Sequence, residues 1–356
     1  MQSDFKQRIK YFVPLTNVPR RYFSNFVPFP PAITAPIFSK TYCGAAFKIP
    51  ILKYLGLPLI LEKMTMQDVL EKKASEEIVV ERRSNLSYEE FRDKYLFPRR
   101  PVIITDATAK WKASEWTPQW FKEKYPNKIL KTDQGEMRMD KFIDAITEIS
   151  DQPGPFLREQ PLKDVFPDLV DNIMPIPPYV QPNWLGKNYF VGSITRRLNR
   201  ESFLEVNFCG RRIFPYLHVD DLGVHAFITQ HYGDKHIIIY PPDQEPYLYR
   251  DGKHRMSKVY DVDKPDLEKY PLFAKAKAIR VTLKAGESAF MPSGWWHTTK
   301  VPGTSLSTVF SISNSSNWND LVKYYKVNSS SAFKGALIAT FLRGMGVIRS
   351  IFNSKS

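Results

Sequence analysis

Residues 216–242 read YLHVDDLGVHAFITQHYGDKHIIIYPP, and this stretch decides how the chain folds. One short β-type run occupies Val224–His231, and a second, with β-branched residues together at 237–239, occupies Lys235–Tyr240. Gly233-Asp234 lies between the two runs, so they predict two strands joined by a tight turn, the second halted by Pro241-Pro242. The stretch opens with His218-x-Asp220 on a predicted strand over 214–219. On a strand, residues i and i+2 share a face, so an imidazole and a carboxylate can reach one ion.

A third donor lies 79 positions beyond His218. In MPSGWWHTT (291–299), His297 follows a Pro-x-Gly turn at the start of another predicted strand. Two histidines and one carboxylate form the facial donor set of non-haem Fe(II), which leaves positions open for other ligands. His225, His231 and His236 lie in the same β-rich region and read as structural residues.

Outward from this centre, short predicted strands recur at 203–208, 278–283, 288–291 and 305–313, separated by Gly and Pro turns. Even spacing of short strands predicts a mainly β sandwich or barrel. A charged, tyrosine-rich insertion occupies 243–275, and residues 151–187 read as loops. Upstream lie flanking helices and strands: helices at 64–74, 88–95 (capped by Ser87 in a Ser-x-x-Glu box), 118–125 and 139–149, and strands at 78–82 and 101–105. The expected domains are a proline-rich arm (1–61), a catalytic domain (62–320, core about 188–318) and a C-terminal helix (321–356).

The net charge of +14 belongs to the ends. Residues 1–61 carry eight Lys or Arg against one acid; residues 321–356 carry six and no acid; 62–320 balance 37 bases against 36 acids. A neutral centre argues against a basic catalytic groove for nucleic acid, so a nucleic-acid partner is not favoured. The basic ends suit peripheral contact with an anionic membrane. The apolar helix expected at 332–352 needs a cover, either a second copy in a homodimer or a membrane interface. Two cysteines without Cys-x-x-Cys spacing fit a reducing, cytoplasmic setting. No signal peptide or membrane span is expected, and the acid-poor, Arg-containing start leaves organellar targeting open.

The segments HVDDLG, GDKHIIIYPP and AGESAFMPSGWWHTT, with YEEFRDKYLFPRRPVIITDATAKW upstream, resemble the JmjC-type (cupin-8) Fe(II)/2-oxoglutarate oxygenases over about residues 77–318. The spacing is most similar to that of the JmjC protein hydroxylases. The resemblance implies a double-stranded β-helix, that is, a jelly-roll or cupin barrel, with N-terminal α/β elements and a C-terminal helix. It implies His218, Asp220 and His297 as the iron ligands and the catalytic set. It also implies Lys235 as the partner of the far carboxylate of 2-oxoglutarate, Asn314 near the metal, O2 as oxidant, and a protein or small-molecule substrate.

The sequence departs from the family at two positions. Pro215 stands where the family often has a threonine donor, and Ile228 where some members have a co-substrate asparagine. Tyr216, Tyr189 and Thr299 are the candidate replacements for that hydroxyl. Two alternative functions follow: a metal-binding cupin-like protein without oxygenase activity, membrane-associated or scaffolding, and an RNA-base hydroxylase.

Overall fold

The strand alternation read from the sequence becomes two packed sheets and a small hairpin. The computed structural model describes residues 79–150, 152–185, 204–213, 217–252 and 255–353. The chain divides after Glu77, and every described residue belongs to the unit Ile78–Ser356. The arm at 1–61, the helix expected at 64–74, and Tyr189, Phe214, Pro215 and Tyr216 lie outside the described residues.

The strands, in chain order, are β1 (Glu81–Arg83), β2 (Val102–Ile104), β3 (Ile129–Thr132), β4 (Gly135–Arg138), β5 (Phe156–Pro161), β6 (Leu204–Cys209), β7 (Arg212–Ile213), β8 (His225–Tyr232), β9 (Lys235–Tyr240), β10 (Ile279–Leu283), β11 (Ser288–Met291), β12 (Trp296–Val301) and β13 (Ser305–Ile312). One sheet has seven strands in the order β1-β2-β11-β8-β13-β6-β5, and a second has four, β10-β9-β12-β7. From β6 to β13 the chain passes back and forth between the two. No strand pairing joins them among the described residues, so they form two layers rather than a closed, hydrogen-bonded barrel. The layers meet through Ala226, Ile228, Ala289 and Met291 on one side and Ile237, Ile239 and Leu283 on the other.

Alternation decides what the other faces bury. Leu204, Val206, Phe208, Phe227 and Phe310 point away from the four-stranded sheet into a core shared with the N-terminal helices α1 (Tyr88–Phe91), α2 (Pro118–Lys124) and α3 (Met139–Thr147). Ser87 caps α1, its Oγ accepting the Glu90 amide at 3.1 Å. Thr117 caps α2 in the same way through the Trp120 amide, also at 3.1 Å. Met139, Phe142, Ile143 and Ile146 recur at helical spacing and bury one side of α3.

Two expectations are corrected, and one hairpin is added. Phe156–Pro161, read as loop, is the edge strand β5; only its first two residues are apolar, so an exposed edge leaves little alternation to see. Ile129–Arg138 forms the β3–β4 hairpin around Asp133-Gln134, a charged stretch with no Asn-Gly signal. Of the strand expected over 214–219, the described part, 217–219, is no regular strand: His218 makes isolated bridges, to His297 and Met256.

The 243–275 insertion is not a free loop. Leu248, Val259, Val262 and Phe273 cover the outer face of the four-stranded sheet against Leu217, Val219, Ile238, Tyr240 and Trp296. The C-terminal helices α4 (Trp318–Asn328) and α5 (Ala332–Asn353) pack against Trp184, Leu185 and Val224. Their close approach needs glycine: a Cβ on Gly335 would sit 2.6 Å from the Lys326 carbonyl oxygen, and one on Gly346 would sit 2.6 Å from the Trp318 ring. No helix of the described residues is long and apolar enough to cross a membrane.

Candidate metal centre

His218 and His297 are brought together by backbone pairing. The His218 amide donates to the His297 carbonyl at 3.0 Å, and the His297 amide donates back at 2.7 Å. Residues exchanging both bonds stand directly opposite, which turns two distant positions into neighbours. The insertion supports the other edge of this segment: the Val219 amide donates to the Arg255 carbonyl at 3.0 Å, and the Ser257 amide to the Leu217 carbonyl at 2.8 Å.

The two imidazole rings lie 4.4 Å apart between centroids. Asp220 Oδ1 is 3.9 Å from His218 Nε2 and 3.7 Å from His297 Nε2. One donor atom from each of the three residues fits within a 4.8 Å cluster. Donors held about 2.1 Å from an ion at right angles sit about 3 Å apart, so side-chain shifts of less than about 1 Å would close the set. His297 Nδ1 lies 3.2 Å from the Trp295 carbonyl oxygen. A carbonyl can only accept, so Nδ1 carries the hydrogen and the Nε2 lone pair is left for an ion. The residues present fit a divalent metal on the chemistry of their donors.

Lys235 opens β9 directly after the Gly233-Asp234 turn. Gly233 has φ +71°, and a Cβ there would lie 2.1 Å from the Thr304 carbonyl oxygen, so only glycine fits and the turn is pinned. Lys235 is 8 % exposed, and its Nζ donates to Ser307 Oγ at 2.6 Å. Burial pushes its ammonium down to about 8. Among the described residues it makes no ion pair. His297 pairs with Ile239, and Thr299 with Ile237. Lys235, Thr299 and His297 therefore share one face, with Lys235 four residues from the His297 level, or about 13 Å. Ile228 also faces this interior.

Asn314 is buried. Its Oδ1 accepts from the Ser316 amide at 3.0 Å and from Ser316 Oγ at 2.7 Å, closing the turn into α4. Of the aromatics that could wall the site, Trp295 joins the inner cluster, whereas Trp296 and Phe227 face away by strand alternation. His225 and His231 are core residues that burial holds at about 3; Ser293 and Ser316 engage the first, and Thr308 the second. His236 meets Thr282 Oγ1 at 2.8 Å at an exposed position.

Glu205 was not anticipated. Leu204, Val206 and Phe208 take the outer face of β6, so Glu205 and Asn207 take the inner one, level with Val309 and Ser307. Burial, then the negative charges of Glu159 and Asp220, push the Glu205 carboxyl up to about 8. The alternation of LEVNFC contained the signal. Which face would hold the site was invisible until β13 and β9 were in place.

Two such sheets, with two histidines and a carboxylate gathered beside the inner face, define a cupin-like protein with a candidate metal site. A family model for the Cupin-like domain matches residues 88–323, and the chain belongs to that family. The resemblance to JmjC-type cupins of the Fe(II)/2-oxoglutarate oxygenase family is borne out by this match and by demethylase relatives. The chain is 35% identical over 136 residues to tRNA wybutosine-synthesizing protein 5 of Gallus gallus, covering 38% of this chain and 36% of that protein. It is 30% identical over 230 residues to lysine-specific demethylase JMJ21 of Arabidopsis thaliana, covering 61% and 23%. It is 27% identical over 256 residues to tRNA wybutosine-synthesizing protein 5 of Mus musculus, covering 63% and 74%. The matched region thus spans only about a third and about a quarter of the first two relatives.

Proposed function

We propose that the chain is an Fe(II)/2-oxoglutarate-dependent hydroxylase whose catalytic unit lies within about residues 62–320 and whose two sheets are the walls of a double-stranded β-helix. The observation that carries the co-substrate is Lys235, a buried cation with a hydroxyl for company and no carboxylate among the described residues. A buried ammonium needs an anion, and a dicarboxylate bridging from the metal would supply one.

His218, Asp220 and His297 would hold one side of the ion and leave the other open. Bound there, Fe(II) with 2-oxoglutarate and O2 would supply the oxidation that the protein's own groups cannot perform. Ser307 orients the Lys235 ammonium toward the far carboxylate. Ile237 and Thr299 line the interval between Lys235 and His297, with the Thr299 hydroxyl as a donor in place of the one Pro215 cannot offer. Ile239, Met291 and Trp295 keep water from the inner face. Tyr216 and Tyr189 remain proposed contributors, and Asn314 a supporting residue of the turn.

A protein side chain or a small molecule is the proposed substrate. The similarity to two tRNA wybutosine-synthesizing proteins supports a second reading, hydroxylation of an RNA base. One anaerobic titration tests the core proposal. Protein with Fe(II) is expected to develop the weak visible charge-transfer band of a chelated 2-keto acid on adding 2-oxoglutarate. Metal binding without that band would leave a cupin-like metal-binding protein without oxygenase activity. Succinate release with bulk tRNA, compared with peptide pools, then separates the two substrate readings.

A further inference from the structure

Helix α5 buries one side and exposes the other. Gly335, Ala339, Leu342 and Gly346 lie buried against α4. On the opposite side, Phe333, Leu337, Val347 and Ile348 are 81, 62, 62 and 49 % exposed. These positions, with Thr340 and Gly344 between them, follow helical spacing at i, i+4, i+7, i+11, i+14 and i+15 and form one stripe. Fifteen helical rises from Phe333 to Ile348 make that stripe about 23 Å long. Scattered apolar side chains on a surface need no explanation; four large ones aligned on one helix face, with only Thr340 and Gly344 between them, do.

The charge around the stripe selects what covers it. Lys334 and Arg343 flank it, both exposed, and Lys323 and Lys326 are exposed on neighbouring α4. Residues 321–356 hold six Lys or Arg and no acid. A second copy of this helix would bring like charge against like charge along the same stripe. An acidic bilayer offers apolar depth for the stripe and negative headgroups for the flanking cations, which is the arrangement of an interfacial helix. We propose that α5 docks the protein on anionic lipid surfaces, lying in the headgroup plane with Phe333, Leu337, Val347 and Ile348 inserted.

The test is co-sedimentation of the full chain with vesicles of phosphatidylcholine alone and of phosphatidylcholine with about a quarter phosphatidylserine. Binding is expected to the acidic vesicles, about tenfold weaker to the neutral ones, and weaker in high salt. The double variant Leu337→Glu/Val347→Glu, at exposed positions the fold does not use, is expected to lose binding about tenfold or more while melting like the wild type. Lys334→Glu/Arg343→Glu is expected to lose the preference for acidic lipid. Failure of the wild type to bind acidic vesicles overturns the proposal. Unchanged binding by Leu337→Glu/Val347→Glu overturns it too, by assigning the contact to another part of the chain. A wild-type dimer in solution that becomes monomeric in the same variant would give the stripe to a second copy instead. None of these readouts depends on the metal centre, so this proposal and the hydroxylase reading fail separately.

Discussion

Replacing Lys235 with methionine separates fold from co-substrate binding, because the two effects have opposite signs. Burial lowers the ammonium from 10.5 to about 8, so at pH 7 the folded, ligand-free protein carries a cost of about 3 kcal/mol for keeping it charged. Methionine keeps most of the volume and removes that cost. It also loses the bond to Ser307 Oγ, worth about 1 kcal/mol. The net expectation is a gain of about 2 kcal/mol, a rise of about 5 °C in melting temperature for a domain of this size. Binding of 2-oxoglutarate moves the other way: removing one partner of a buried charge pair costs about 3 kcal/mol or more, at least about a hundredfold in affinity. The assays are thermal melting of the chelator-treated protein and anaerobic titration with Fe(II) and 2-oxoglutarate. The sign of the pH dependence follows. Below about 8 the wild-type ammonium is already charged; above it, binding an anion requires proton uptake, so affinity falls about tenfold per pH unit. A lower melting temperature for Lys235→Met, or unchanged affinity, would refute the role assigned to Lys235.

His218→Ala, Asp220→Ala and His297→Ala are each expected to remove the thermal stabilisation that Fe(II) or Mn(II) gives the wild type; a single variant that keeps it drops out of the donor set. The Glu205 carboxyl sits at about 8, above its ordinary 4.5, so the stability it contributes is present below about 4.5 and is lost as pH rises toward 8. In chelator-treated protein, Glu205→Gln should flatten the pH profile of melting over that window, and an unchanged profile would contradict the burial assigned to Glu205. Gly335→Ala pushes a methyl to 2.6 Å from the Lys326 carbonyl and should cost about 1–3 kcal/mol, whereas Gly344→Ala meets nothing and should gain up to about 1 kcal/mol from helix propensity. Equal melting of the two would contradict the packing of α5 on α4.

Much of the fold was legible because its strands obey local rules. VHAFITQHYGDKHIIIY carries both strand patterns and the glycine turn between them, and the structure places β8 and β9 within a residue of those patterns. Ser87 and Thr117 announced their helices by side-chain chemistry that acts within three residues. The β3–β4 hairpin and β5 were not legible, since each is held by a partner strand rather than by its own pattern. The insertion was readable as charged and tyrosine-rich, but not as the cover of the outer sheet face or as the second support of the His218 segment.

The sequence by itself determined which residue types were available for the metal centre and where the alternation points, because donor chemistry and the period of two are properties of a few neighbouring residues. It also determined the basic ends and the apolar composition of α5. Only the tertiary structure decided that His218 stands opposite His297, that Trp296 and Phe227 turn away while Glu205 turns in, and that one stripe of α5 is left uncovered. Each of these depends on which face of an element another element covers. That is settled by burying apolar surface between segments scores of residues apart, a quantity no local stretch of sequence contains.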